Sequence, residues 1–144
     1  MREVLEGLAT RLAVENTGRR LVDRLAEVMA EHEDAVDARD HARHVEADTR
    51  FHRLIRHAGA NPEVVRLLDD IQTRVRLAMR TTAVTGGPRR ALEDHRAIFA
   101  VIRSADPTVA EREARRHVAR LRGVLLARAA AAETSAAAVP GAQR

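Results

Sequence analysis

Apolar positions recur at three- and four-residue intervals along most of the chain, the signature of amphipathic helices. Leu5, Leu8, Ala9 and Leu12 predict a first helix over 2–15, followed by a break at Thr17-Gly18. Leu21, Val22, Leu25, Val28 and Met29 predict a second over 19–36. The polar link Asp37-Ala38-Arg39-Asp40 leads into a third, which ends near Ala58 with Gly59 as its left-handed terminator. Asn61-Pro62 reads as an N-cap with proline at the first helical position. The fourth helix is expected over 62–83, with Val65, Leu68, Ile71, Val75 and Met79 inward. Thr85-Gly86-Gly87-Pro88 is a loop. A fifth helix, 88–104, carries Ala91, Leu92, Ile98, Phe99 and Ile102 on one stripe. Asp106-Pro107-Thr108 restarts the chain into a sixth, 107–132, with Ala110, Ala114, Val118, Leu121, Val124 and Leu125 inward. From Glu133 there is no stripe to bury, so 133–144 is expected to be a disordered tail. No stretch alternates with period two, and no internal repeat is present. The expected fold is all-α, a bundle of about six helices in one domain over 1–132.

Composition narrows the class. The 144 residues suffice for one real core. Apolar residues make up 45% and charged residues 32%, an ordinary globular mix. No apolar run approaches the length of about 18 residues that spans a bilayer. The N-terminus lacks the apolar core and cleavage site of a secretory signal. Cysteine is absent, which excludes disulfides and thiolate metal ligands and makes a cytoplasmic home the expectation. All 25 basic residues are arginine, which with the abundant alanine fits the codon usage of a GC-rich genome. Net charge is only +4, and the arginines alternate with Asp and Glu rather than clustering. With two Phe and no Trp or Tyr, a base-stacking surface is hard to build. Direct nucleic-acid binding by this chain is therefore not expected.

The candidate chemistry begins at Asp48-Thr49-Arg50-Phe51-His52. A carboxylate and an imidazole four residues apart share one helix face. Phe51, Ile55 and Ala58 lie along the same side, so the polar pair borders an apolar stripe. A buried carboxylate is costly unless paired or bound to a metal. His95 lies within the stripe of the fifth helix and His117 within that of the sixth. One histidine on such a stripe is ordinarily a hydrogen-bonded core residue. Four ligand-type groups on three helices instead point to a shared divalent ion. Three imidazoles and a carboxylate suit zinc first, and nickel or a similar ion next.

The other histidines fit less well. His41 lies 11 residues before His52, about 16 Å along a helix, too far to share one ion. His44 could join Asp48 but hardly His52 as well. His32 and His57 fall outside the stripes and read as solvated surface residues. No histidine has Glu three residues before it, which argues against a di-iron carboxylate bundle. There is no phosphate loop, and neither Ser104 nor Ser135 has a neighbouring base. A metalloenzyme activating water at an open metal position is the alternative reading. It lacks an evident general base, because Glu93 and Asp94 lie off the His95 stripe.

A set of short elements occurs in a telling order: Arg2-x-x-Leu5-Glu6, Asp48-x-x-Phe51-His52, Ala58-Gly59-Ala60-Asn61-Pro62, Asp94-His95-x-x-Ile98, Ala105-Asp106 and His117-Val118. Over roughly residues 1–125 the chain resembles the FadR C-terminal domain (FCD), the ligand-sensing domain of GntR-type transcription regulators. The 22-residue interval from His95 to His117 fits that family's final histidine pair. The resemblance implies an antiparallel bundle with a central metal and ligand cavity. It implies metal ligands at Asp48, His52, His95 and His117, and a small carboxylate or hydroxy acid as effector. Arg2 matches the early arginine that holds the ligand in some members; its other reading is a surface pair with Glu6 at i+4. Arg80 is a second pocket candidate. Regulators of this type contact DNA through a winged helix-turn-helix, which these residues do not contain, and a homodimer is compatible with the family.

Overall fold

The computed structural model describes residues 1–16, 18–81 and 87–137, the side chains of 75–81, 128–129, 132–133 and 135–137 excepted. Among these residues six helices form: α1 Arg2–Asn16, α2 Arg19–Asp37, α3 His41–Ala58, α4 Pro62–Thr81, α5 Gly87–Arg103 and α6 Pro107–Ala137. Their starts follow local hydrogen bonding. Asp40 Oδ1 accepts from the Arg43 N–H at 3.0 Å, and Asn61 Oδ1 accepts from the Val64 N–H at 3.1 Å. Asp106 Oδ1 accepts from both Thr108 and Val109 N–H, each at 3.0 Å. Each cap satisfies donors that the first helical turn leaves orphaned, and stabilises by about 1 kcal/mol. Pro62 and Pro107 follow their caps at the first helical position, where a missing N–H costs nothing.

The α3–α4 turn departs from expectation in one detail. Gly59 is right-handed, with φ −67°, and Ala60 takes the left-handed conformation instead, with φ 51°. Glycine is needed at 59 for room. A Cβ there would meet the Ala9 carbonyl oxygen and Leu12 Cβ, both at 3.1 Å. The close approach is reinforced by Asn16, whose Nδ2 donates to the Gly59 carbonyl at 3.0 Å.

Pairings across the bundle give its directions. Glu33 pairs with Arg96 and Asp37 with Arg89, so α2 and α5 run antiparallel. Arg11 faces Glu111 and Gly7 faces Arg115, so α1 and α6 do the same. The main core gathers Leu25, Phe51 and Leu92, each 0% exposed, with Val28, Ile98 and Ile102 around them. A smaller cluster, Ala9, Val64 and Leu68, joins α1 to α4.

Two inward faces, those of α1 and α4, are rotated from those expected, whereas on α6 the expected stripe is buried at Ala110, Ala114 and Val118. On α1 the fully buried residues include Glu6, Ala9, Thr10 and Ala13, while Leu5, Leu8 and Leu12 are half-buried. Close packing on α6 at Gly7 leaves no space for the leucines there. On α4 the buried positions are Val64, Leu68 and Gln72, with Val65 and Ile71 at the edge; the side chains of Val75 and Met79 lie outside the described residues. On α6, Val124 is 40% exposed, because the helix has passed the end of α1. Residues 133–137, expected in the tail, continue α6, as the high helix propensity of an alanine-rich run favours. Residues 138–144 lie outside the described residues. Among the described residues no helix is long and apolar enough to cross a membrane.

The two tight glycines behave differently under substitution. At Gly7 a Cβ would meet Arg115 Cγ at 2.5 Å and Cδ at 2.9 Å, so the Arg115 side chain must change rotamer, while no backbone atom stands in the way. Gly7→Ala is expected to be within about 1 kcal/mol of neutral, helix propensity offsetting the crowding. Gly59→Ala presses on backbone and should destabilise by about 1–3 kcal/mol. Thermal unfolding of both variants checks the order; equal melting temperatures would contradict it.

Candidate metal centre

α3 brings Asp48 and His52 to the bundle interior, one helical turn apart; α5 brings His95 and α6 brings His117. All four are buried. His52, His95 and His117 each place a ring nitrogen within 4.8 Å of the other two. His95 Nε2 lies 3.2 Å from His52 Nε2 and 3.5 Å from Asp48 Oδ1. Three of the expected residues, His52, His95 and His117, thus converge between three helices, and the fourth, Asp48, lies beside His95.

The opposite nitrogen of each ring has its own partner outside the cluster. His52 Nδ1 lies 3.5 Å from Glu6 Oε2, on α1. His117 Nδ1 is 3.0 Å from Asp94 Oδ2, on α5, and Asp94 is also paired with Arg120. His95 Nδ1 is 3.3 Å from His32 Nδ1, on α2. His32 Nε2 in turn contacts His44 Nδ1 at 2.8 Å. The Phe51 ring stacks on His95 at a centroid distance of 4.3 Å and closes its apolar side. Outward anchoring of Nδ1 fixes ring orientation and leaves Nε2 of His52 and His95 facing inward, the arrangement that surrounds histidine metal ligands.

Burial keeps His95, His117 and His32 neutral. Burial, then the neighbouring imidazole of His52, pushes His95 well below the ordinary histidine range. The same two causes bring His117 down to about 3. Burial and His44 bring His32 down to about 4. Burial alone would raise the Glu6 carboxyl; His52, Arg2 and Arg56 overcome it and hold Glu6 at about 2. At neutral pH His32, His95 and His117 are therefore neutral imidazoles and Glu6 is ionised, and neutral imidazole is the form in which histidine binds a metal.

Four placements were not anticipated. His32, expected on the surface, is 0% exposed and anchors His95. Its position was readable, since it lies four residues after Val28 and four before Val36 on the α2 stripe. His44 is buried and belongs to His32 rather than to the cluster itself. Asp94, off the His95 stripe, reaches across to His117. Glu6 was visible only as a salt-bridge partner of Arg2; that pair exists, at 3.5 Å, yet Glu6 also serves His52. His57 is exposed, as expected. Arg2 Nε is buried and has no hydrogen-bond partner among the described residues. The side chain of Arg80 lies outside the described residues.

Comparison with known proteins gives two kinds of match. The model of the FCD domain matches residues 1–120. Among solved structures, Escherichia coli McbR/YncC superposes with a TM-score of 0.79 at 18% identity, over 88% of this chain and 65% of that one. Streptococcus agalactiae GntR gives a TM-score of 0.72 at 26% identity, over 84% of this chain and 54% of that one. The chain thus spans between half and two thirds of the length of these two proteins. No curated protein sequence matches it.

The depressed histidines set a pH dependence. In the unfolded chain His32 and His117 take up protons near pH 6.5, whereas in the fold they resist until about 4 and 3. Their contribution is complete above pH 6.5 and is lost as pH falls below it, by up to about 1.4 kcal/mol per unit for each group. Glu6, depressed from 4.5 to about 2, adds a further loss below 4.5. Melting temperature of the metal-stripped protein should fall from pH 6.5 downward and more steeply below 4.5. A constant value between pH 7 and 5 would contradict the neutral cluster.

Proposed function

The chain belongs to the FCD domain family, and from that premise we propose that it is the effector-binding part of a GntR-type transcription regulator, sensing a small organic acid at a divalent metal ion. The observation that carries the reading is the ring geometry: three imidazoles from three helices converge, and each has its Nδ1 held from outside. The donor set fits a metal. His52, His95 and His117 offer neutral nitrogens and Asp48 a carboxylate oxygen, ligands suited to zinc first and to nickel or a similar ion next. The ion would supply coordination positions for carboxylate or hydroxyl oxygens of the effector. Arg2, whose buried Nε faces Glu6 at 3.5 Å without a hydrogen bond, is the first residue we assign to a ligand carboxylate; Arg80 is the second candidate. In this reading DNA recognition belongs to a winged helix-turn-helix and not to the helical bundle. A sensor is favoured over a metalloenzyme because the carboxylates beside the cluster are engaged. Glu6 serves His52 and Arg2, and Asp94 serves His117 and Arg120.

Metal analysis of the purified protein, joined to calorimetric titration with small organic acids before and after metal removal, tests both halves. Stoichiometric metal, and acid binding that weakens strongly on stripping, are expected. His95→Ala or His117→Ala should lose the metal while His57→Ala retains it. Equal metal content in all three would remove the assignment, and equal acid affinity with and without metal would separate effector from ion.

His32 offers a finer check. His32→Leu keeps volume but removes the partner of His95 Nδ1. Metal affinity should fall about 10–100-fold, the usual effect of losing such an outer partner, with helicity unchanged. Competition against a chromophoric chelator measures it; wild-type affinity would mean that His95 is oriented by packing alone.

A further inference from the structure

Buried polar atoms in a folded protein almost always have partners, and the exceptions call for a ligand or another cause. Among the described residues the exceptions are atoms of three side chains, on α1, α3 and α4. Arg56 is 2% exposed, yet its Nη2 has no hydrogen-bond partner. Gln72 is 5% exposed, and neither its amide nitrogen nor its amide oxygen has one. Arg2 Nε is in the same state.

These residues come from α3, α4 and α1, and Arg56 and Gln72 both lie at the Asp69 turn of α4. Arg56 follows His52 by one helical turn; its Nε donates to the His52 carbonyl at 3.3 Å and its Nη1 to Asp69 Oδ1 at 2.8 Å. Gln72 is three residues beyond Asp69 on α4. The start of α4 lies beside the end of α1, where Gly59 meets Ala9 and Leu12, and Val64 and Leu68 then pack on Ala9. α4 therefore runs antiparallel to α1, and Gln72, one turn past Leu68, lies level with the first turns of α1 and hence with Arg2. Arg2 and Arg56 both act electrostatically on Glu6, the residue that holds His52.

We propose that Arg56 and Gln72 form a second polar subsite, which takes the distal end of a short hydroxylated dicarboxylic acid whose other end lies at the histidine cluster. The inference rests on the organic-acid reading above and specifies the class of acid. One helical turn, about 6 Å, separates Arg56 from His52 along α3, a span that a four-carbon diacid covers. Arg56 Nη2 and the Gln72 amide N–H donate to a carboxylate. The Gln72 carbonyl oxygen needs a donor, which a ligand hydroxyl supplies. A monocarboxylate such as lactate would satisfy the cluster and leave these atoms orphaned, which is the basis for discrimination. No metal chemistry is assigned to this subsite; its role is to read the length and polarity of the acid.

The test is calorimetric titration of the metal-loaded protein with L-malate, succinate and L-lactate, in wild type and in Gln72→Leu. Wild type is expected to bind malate about tenfold or more tighter than lactate, as charge-assisted contacts at a second carboxylate provide, with succinate between them. Gln72→Leu should collapse the malate-to-lactate ratio toward unity. It should also raise the melting temperature of the acid-free protein, because leucine leaves no buried amide unpaired. Arg56→Met serves as a second variant with the same expected effect on the ratio. A ratio preserved in Gln72→Leu, or equal binding of malate and lactate by wild type, overturns the subsite while leaving the organic-acid reading intact. Failure of every acid to bind the metal-loaded wild type overturns that reading, and this inference with it.

Discussion

The bundle is organised around the burial of imidazole rings where water cannot reach them. An imidazole has two polar nitrogens, and an unsatisfied one in an apolar interior is costly. Here the outward nitrogens of His52, His95 and His117 are taken by Glu6, His32 and Asp94, from α1, α2 and α5. The inward side therefore presents lone pairs to one another and to Asp48. Burial pushes the proton affinity of His95 and His117 down, which keeps those two rings neutral. The same requirement ties five helices to one point, α1, α2, α3, α5 and α6, since moving any of them would break an outward contact or the cluster.

α1 shows how far the constraint reaches. Its leucines would make a conventional core stripe, yet the helix is turned so that Glu6 faces His52 and Gly7 lies against α6. The burial of an ionised carboxylate is offset by His52 and two arginines, Arg2 and Arg56. α4 follows in turn, with Val64 and Leu68 packed on α1 and Gln72 carried inward one turn later. Polar residues on these two helices thus occupy positions that hydrophobic periodicity would assign to apolar ones. Departures from the pattern of this kind are where a fold gives up local preference for a site.

Helix number, the capped helix starts and the inward placing of His52, His95 and His117 were legible from the chain alone. Caps such as Asp40, Asn61 and Asp106 act on their own next turn, so their effect needs no tertiary partner. His52, His95 and His117 lie on apolar stripes, and a stripe must turn inward to be buried. What only the tertiary structure decided is the set of partners. Asp94 meets His117 across an antiparallel helix pair, and His32 meets His95 across another; neither contact follows from spacing along one helix. The left-handed residue at Ala60 rather than Gly59 was decided by the nearness of α1, which denies residue 59 a side chain. Periodicity reports which residues share a face. It cannot report which face a neighbouring helix will meet, because that depends on packing and on buried charges finding their partners, and those exist only once the helices are assembled.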